Sequence, residues 1–347
     1  MSKKNNVILA DCESDEVKTL QDGLNDNKSW NFTTESCISN GSHAGKGNIK
    51  RYLKYFTFPW HVFLHRKKYN CILGWQQFYT INFAFYSRLF HVNKKNRIVA
   101  LNFTYKRKGG FVGRLYEKYM RYAVDSEYID YFHVLSKNYA ESCSKVLNIP
   151  LDKFIVTTFG VPDIYDKWKN SNVDENDYTL SIGRSNRDFD FLVKAWKQPC
   201  LSKRKLVIIS DMYHPTEPVP NNIKLLNDVT GDASYPWIAN CNMMVIPIED
   251  GTICSGDTVL LNSMLMKKPV VVTKPSTLSE MYLEDRVDGL TLEKDEVVFA
   301  QEIAKTLENK DECRRLGENA RKKYLAHFSR FQLGKQIQSY IEKLSLK

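Results

Sequence analysis

The sequence predicts an α/β protein built from two doubly wound, Rossmann-like domains in tandem. Short apolar runs alternate with segments of helical spacing along almost the whole chain, the pattern of parallel strands joined by crossover helices. At 347 residues the chain is too long for one ordinary core. Between Ser171 and Asp177 it turns polar, which marks a linker between two such series.

The first series runs through apolar strands at 7–10, 71–75, 97–102, 131–135 and 154–157. Ser136 stands where a side chain would cap a helix over Lys137–Leu147. The second series opens with a strand at 178–182 that runs into Gly183, and continues with strands at 206–209, 243–247 and 270–273. A helix at 257–266 presents Val259, Leu260, Met264 and Leu265 on one side. The tail from 313 to 347 is helical in pattern. The domains are thus expected at 1–170 and 177–325, with a last helix over 326–347.

Composition excludes several classes. Hydrophobic content of 43% and charged content of 26% are those of a soluble globular protein. No run of 18 apolar residues is present to span a membrane, and the run at 7–10 is too short for a signal peptide. A cytoplasmic protein is expected. The eight cysteines form no CxxC pair and no zinc-like spacing with histidine, so reduced and mostly buried thiols are expected.

The formal charge is +10, and it is unevenly spread. The stretch 46–68 has no acid, and 94–121 has only Glu117. Both stretches interleave lysine and arginine with rings: Tyr52, Tyr55, Phe56, Phe58, Trp60 and Phe63, then Phe103, Tyr105, Phe111, Tyr116 and Tyr119. Such a surface suits an anionic membrane face, a lipid diphosphate or a nucleic acid; equally, the rings belong to a core beneath a solvated basic face. Charge alone motivates the nucleic-acid reading, and no recognition motif supports it. Lys106, Arg107 and Lys108 are the candidate acceptor or membrane contacts.

Two loops carry the candidate ligand chemistry. Gly183, Arg184, Ser185, Asn186, Arg187 and Asp188 follow a buried strand and open a helix over Phe189–Trp196. Arg184 and Arg187 would clamp a diphosphate and offset the charge growing on a leaving phosphate. Cys254, Ser255, Gly256, Asp257 and Thr258 join the strand at 243–247 to the helix after it, where free backbone N–H groups and the helix dipole favour an anion. Both loops lie at the C-terminal ends of strands, the ligand-binding side of an open α/β sheet. Asp188-Phe189-Asp190 matches a short metal-binding pattern but stands in a helix's first turn, so capping is expected and no metal. His133, inside an apolar strand, is expected as a core or crevice-edge histidine rather than a catalytic base.

Three segments together resemble the retaining glycosyltransferases of the GT-B fold, and are most similar to glycosyltransferase family 4, or group 1. They are VLSKNYAESCSKVLNIPLDKFIVTTFGVPD, YTLSIGRSNRDFDFLVKAW, and MVIPIEDGTICSGDTVLLNSMLMKKPVVVTKPSTLSEMYLEDRVDGLTL. The resemblance covers 129–340 and is architectural before that. It implies two domains with a cleft between them and a C-terminal helix crossing back to the first. It further implies a nucleotide-sugar donor on the second domain, an acceptor on the first, retention of configuration and no metal cofactor. Cys254 and Asn262 stand where the family usually has two glutamates, at the donor sugar and the ribose. Asn262 retains a hydrogen-bonding group for a ribose hydroxyl, and Arg187 stands for the family's lysine. Glu280 matches a family position that orders the last loop of the site. The expected function is sugar transfer to a lipid-linked glycan at the inner membrane face, as in capsule or other surface-polysaccharide assembly. The lost acidic pair motivates an alternative, a catalytically silent partner of an active transferase.

Overall fold

The computed structural model describes residues 5–28, 30–38, 47–253 and 255–344, and the side chains of these except Gly47 and Asn48. The chain forms two compact units. The first comprises residues 1–162 and 330–347, the second 163–329.

The first unit holds β1 (Asn5–Ala10), α1 (Ser14–Leu24), β2 (Phe32–Ser36), α2 (Gly47–Leu64), β3 (Tyr69–Gly74), α3 (Gln77–Leu89), β4 (Arg97–Ala100), α4 (Gly110–Val124), β5 (Tyr131–Val134), α5 (Lys137–Leu147) and β6 (Phe154–Val156). The strands form a parallel sheet of order β2-β1-β3-β4-β5-β6. Its central strands are apolar throughout because both faces are covered. Val7, Leu9, Ile72, Ala100 and Phe132 face a core shared with α2, α3 and α4. Ile8, Leu73, Val99, Tyr131 and Ile155 face the opposite core. Ser136 caps α5 as expected, its Oγ accepting from the Tyr139 amide at 3.2 Å.

The second unit holds α6 (Tyr165–Trp168), β7 (Tyr178–Ile182), α7 (Phe189–Trp196), β8 (Lys205–Ile209), β9 (Ile223–Leu226), α8 (Ser234–Asn240), β10 (Met243–Ile246), α9 (Asp257–Leu265), β11 (Val270–Lys274), α10 (Thr277–Tyr282), β12 (Leu290–Glu293), α11 (Glu296–Glu308) and α12 (Lys310–Lys323). Its sheet is also parallel, of order β12-β11-β10-β7-β8-β9. Met243, Val245, Leu206 and Ile208 pack under Phe191, Leu192, Trp196, Phe299 and Ile303.

The last helix, α13 (Arg330–Lys343), belongs to the first unit, where it packs along α1. Leu333, Ile337 and Ile341 join Leu20 and Leu24 in one apolar layer. Two glycines permit the close approach. A Cβ on Gly23 would stand 2.0 Å from the Phe331 carbonyl oxygen, and one on Gly334 would stand 2.4 Å from that of Leu20.

β2, β9 and β12 were not expected from the sequence. All three are sheet-edge strands with mixed burial, so they show neither the apolar run nor a clean alternation.

Candidate functional site

The site of the second unit is built around Arg187. β7 delivers Ile182 and Gly183, and Asn186 takes a left-handed conformation (φ 55°) that turns the chain back. The Asn186 side chain accepts from the Asp250 amide at 2.7 Å and donates to the Asp250 carbonyl at 3.1 Å. The Asp188 amide donates to the Pro247 carbonyl at 2.9 Å. These bonds clasp the loop after β7 to the loop after β10.

The Arg187 side chain runs back across Gly183, where a Cβ would lie 2.6 Å from its Cγ. Nε donates to the Ile182 carbonyl at 3.3 Å. Nη1 donates to the carbonyls of Ser185 and Asn186, each at 3.2 Å, and to Ser255 Oγ at 3.1 Å. Nη2 makes none of these bonds. It lies beside Gly256, where a Cβ would stand 2.5 Å away. Gly256 has φ +99° and begins α9 with no side-chain cap, so glycine is required twice, for conformation and for room. Burial lowers the Arg187 pKa to about 10, against the opposing pull of Asp257, so the guanidinium stays charged at neutral pH. Burial in turn raises the pKa of Asp257, offset by the Thr258 amide that donates to its carboxylate at 2.8 Å.

These groups line one pocket of about 570 Å³. It brings together Gly183, Arg184, Arg187, Ser255, Gly256, Asp257, Thr258 and the buried Asn262, all singled out from sequence. Cys254 lies outside the described residues. Of the predicted residues, one lies at the rim of this cluster and one stands apart from it. Arg184 lines the pocket, but its side chain is 73% exposed and donates from Nε to Asp211 at 2.8 Å. Glu280 is exposed on α10 and is not among the lining residues. Gly231, Asp232, Ser234, Tyr235 and Ile238 complete the lining and were missed. They follow the unrecognised edge strand β9, and Gly231 at φ +57° was the signal available.

A largely buried guanidinium with Nη2 turned toward an uncapped helix N-terminus suits an anion. Asp188 caps α7, accepting from the Phe191 amide at 3.0 Å, and pairs with Lys294 at 2.6 Å. Asp190 accepts from the Tyr213 hydroxyl at 2.7 Å. Asp188 therefore caps as expected, while Asp190 is engaged by Tyr213 rather than by a helix amide. Among the described residues no group of three or more potential metal ligands occurs.

In the first unit His133 is fully buried in β5, with Nδ1 accepting from the Asn102 amide at 3.2 Å and Nε2 donating to Thr157 Oγ1 at 2.7 Å. Near the ends of β1, β3 and β4 lie two polar pairs the sequence did not single out. Gln76 Nε2 donates to Asp11 at 2.8 Å and to the Tyr55 hydroxyl at 3.2 Å. Gln77 exchanges two bonds with Thr104, at 3.0 and 2.9 Å. Lys106, Arg107 and Lys108 are exposed; Arg107 stands 3.7 Å from Glu117, and Lys108 lies 4.7 Å over the Tyr116 ring. The rings of the basic stretches divide: Tyr55, Phe63 and Phe103 are core, while Tyr52, Phe56, Trp60 and Phe111 are exposed.

Several solved glycosyltransferases have this fold. One from Rickettsia africae aligns over 99% of both chains with a TM-score of 0.61 at 12% identity. HepE of Anabaena, solved with UDP and glucose, aligns over 97% of this chain and 99% of its own, with a TM-score of 0.58 at 14% identity. WaaG, a glycosyltransferase involved in lipopolysaccharide biosynthesis, aligns over 96% of this chain and 99% of its own, with a TM-score of 0.56 at 14% identity. No curated protein sequence gives a significant match. The two Rossmann-like units and the returning α13 share the GT-B fold of these proteins. Residues 177–309, most of the second unit, match the family described as glycosyl transferases group 1.

Proposed function

We propose that the protein transfers a sugar, with retention of configuration and without a metal, from a nucleoside diphosphate donor to a glycan carried on a lipid. The observation that carries the donor part is the Arg187 guanidinium. It is buried and charged, and Nη2 lies beside the N-terminus of α9 in a pocket of about 570 Å³. A diphosphate there meets Nη2 and the first amides of α9, which offset its charge without a cation. Arg184 at the pocket rim is the second diphosphate ligand, exchanging Asp211 for phosphate. Asn262 takes a ribose hydroxyl. The departing diphosphate, on the same face as the incoming acceptor, takes the acceptor's proton. The basic, aromatic surface of the first unit supports an acceptor that joins phosphate to an apolar chain, as in surface-polysaccharide assembly at the cytoplasmic membrane face.

The test is calorimetry in EDTA, beginning with UDP because HepE is solved with it. A charge-assisted phosphate contact contributes about 1.5–3 kcal/mol. Arg187→Ala should therefore weaken binding about ten-fold or more with little change in melting temperature. Unchanged affinity removes Arg187 from the donor site, and binding that needs a divalent ion reopens the roles of Asp188 and Asp190. Turnover of the bound sugar nucleotide separates a working transferase from a silent partner.

A further inference from the structure

The outer face of α2 is apolar where a surface helix is ordinarily polar. Ile49, Tyr52, Leu53, Phe56, Trp60 and Leu64 recur every three or four residues along four turns, and all are exposed. On the other side of the same helix Tyr55, Val62 and Phe63 are in the core. The inner face explains why the helix packs; among the described residues nothing covers the outer one. Phe90, also exposed, extends the stripe, its ring 5.6 Å from that of Trp60.

The stripe is firmly held. Pro59 lacks the N–H that would bond the Tyr55 carbonyl, and the buried Asn82 donates there instead at 2.7 Å. The Tyr86 hydroxyl donates to the Phe56 carbonyl at 3.1 Å. The surroundings carry one sign of charge. From 49 to 68 the chain contains lysines and arginines and no acid. At the end of α2, Arg66, Lys67 and Lys95 line an open pocket of about 450 Å³ with no acidic residue in its wall. Among the described residues no helix is long and apolar enough to cross a membrane. A helix with aromatic and aliphatic side chains outward and cations on its flanks lies along an interface instead.

We propose that α2 lies in the surface of an anionic bilayer, its stripe at the acyl boundary and the pocket of Arg66, Lys67 and Lys95 on headgroup phosphate. A second copy of the chain fits less well, because it would bring two basic flanks face to face. The purpose of this contact rests on the lipid-acceptor reading above.

The experiment is co-sedimentation of the full chain with phosphatidylcholine vesicles, with and without phosphatidylglycerol. Nucleoside diphosphate affinity is measured in parallel. The parent should bind the anionic vesicles and bind pure phosphatidylcholine far more weakly. Leu53→Glu with Phe56→Glu should reduce anionic vesicle binding about ten-fold or more and leave nucleotide affinity unchanged. Leu53→Ser with Leu64→Ser, a milder pair, should weaken binding in the same direction and serves if the glutamates disturb folding. Val297→Glu, at an exposed apolar site on α11, should bind as the parent does. Stripe variants that bind like the parent overturn the proposal, as does a parent indifferent to anionic vesicles. A parent that self-associates, and that the stripe variants render monomeric without vesicle binding, shows a second copy on the stripe and also overturns it. Stripe-dependent vesicle binding in a protein with no nucleotide affinity upholds α2 and instead removes the donor reading.

Discussion

Single residues divide here according to what burial does to their charge. Arg187 and His133 both lose solvent to burial, yet one keeps its proton at neutral pH and the other does not. A guanidinium has a pKa far enough above neutrality that lowering it to about 10 leaves it cationic. An imidazole does not, and burial takes the His133 pKa down to about 4. The neutral ring fits its bonds, since Nδ1 must be bare to accept from the Asn102 amide. The unfolded chain binds a proton on this histidine near pH 6.5, the folded chain only near pH 4. Between those values the unfolded state holds more protons, so stability falls as pH falls through the window and levels off below it. The full loss is roughly 3 kcal/mol. In urea denaturation, His133→Gln should start less stable at pH 7 and lose less between pH 6.5 and 4 than the parent. Parallel slopes for the two proteins would rule out His133 as the titrating group.

At the level of elements, the recurring problem is a backbone group left without its helical or sheet partner. Pro59 creates one such group in α2, and Asn82 in α3 answers it while its Oδ1 accepts from the Tyr119 hydroxyl of α4 at 2.7 Å. One buried amide thus ties three helices. Asn82→Ala orphans the Tyr55 carbonyl and the Tyr119 hydroxyl, and each buried unpaired group costs about 1–3 kcal/mol. A drop of that size in urea denaturation is expected, with nucleotide affinity retained. No change would show that water replaces the amide. The edge strands pose the matching problem at the sheet margins. β2, β9 and β12 are held by the neighbour's ladder more than by their own side chains, which explains why their sequences carry so little strand signal.

For the whole molecule, the path of the chain matters more than any one element. It leaves the first unit after Pro162, builds the second, and returns at Arg330 to lay α13 along α1. The return depends on backbone contact at Gly23 and Gly334, positions where any side chain collides with a carbonyl. Gly23→Ala drives its methyl group onto the Phe331 carbonyl, and forced overpacking of this kind costs about 1–3 kcal/mol. The melting temperature should fall, limited proteolysis should release the last helix earlier, and nucleotide binding should persist in the folded fraction. If melting and proteolysis match the parent, α13 docks by its leucine and isoleucines alone.

The sequence by itself determined what local periodicity and chemistry report. Central strands buried on both faces read as apolar runs, Ser136 read as a cap, and Gly183 with Arg187, and Gly256, read as parts of two strand-to-helix loops, because each signal lies within a few residues. Only the tertiary structure decided which arginine is enclosed and which is held at the rim by Asp211. It also decided that Tyr235 and Asp232 join the pocket, and that one side of α2 is core while the other, equally apolar, faces outward. Those outcomes depend on which distant segment packs against each face. Hydrophobic spacing records that a face is apolar, and the partner that covers it is chosen by contacts far apart in the chain.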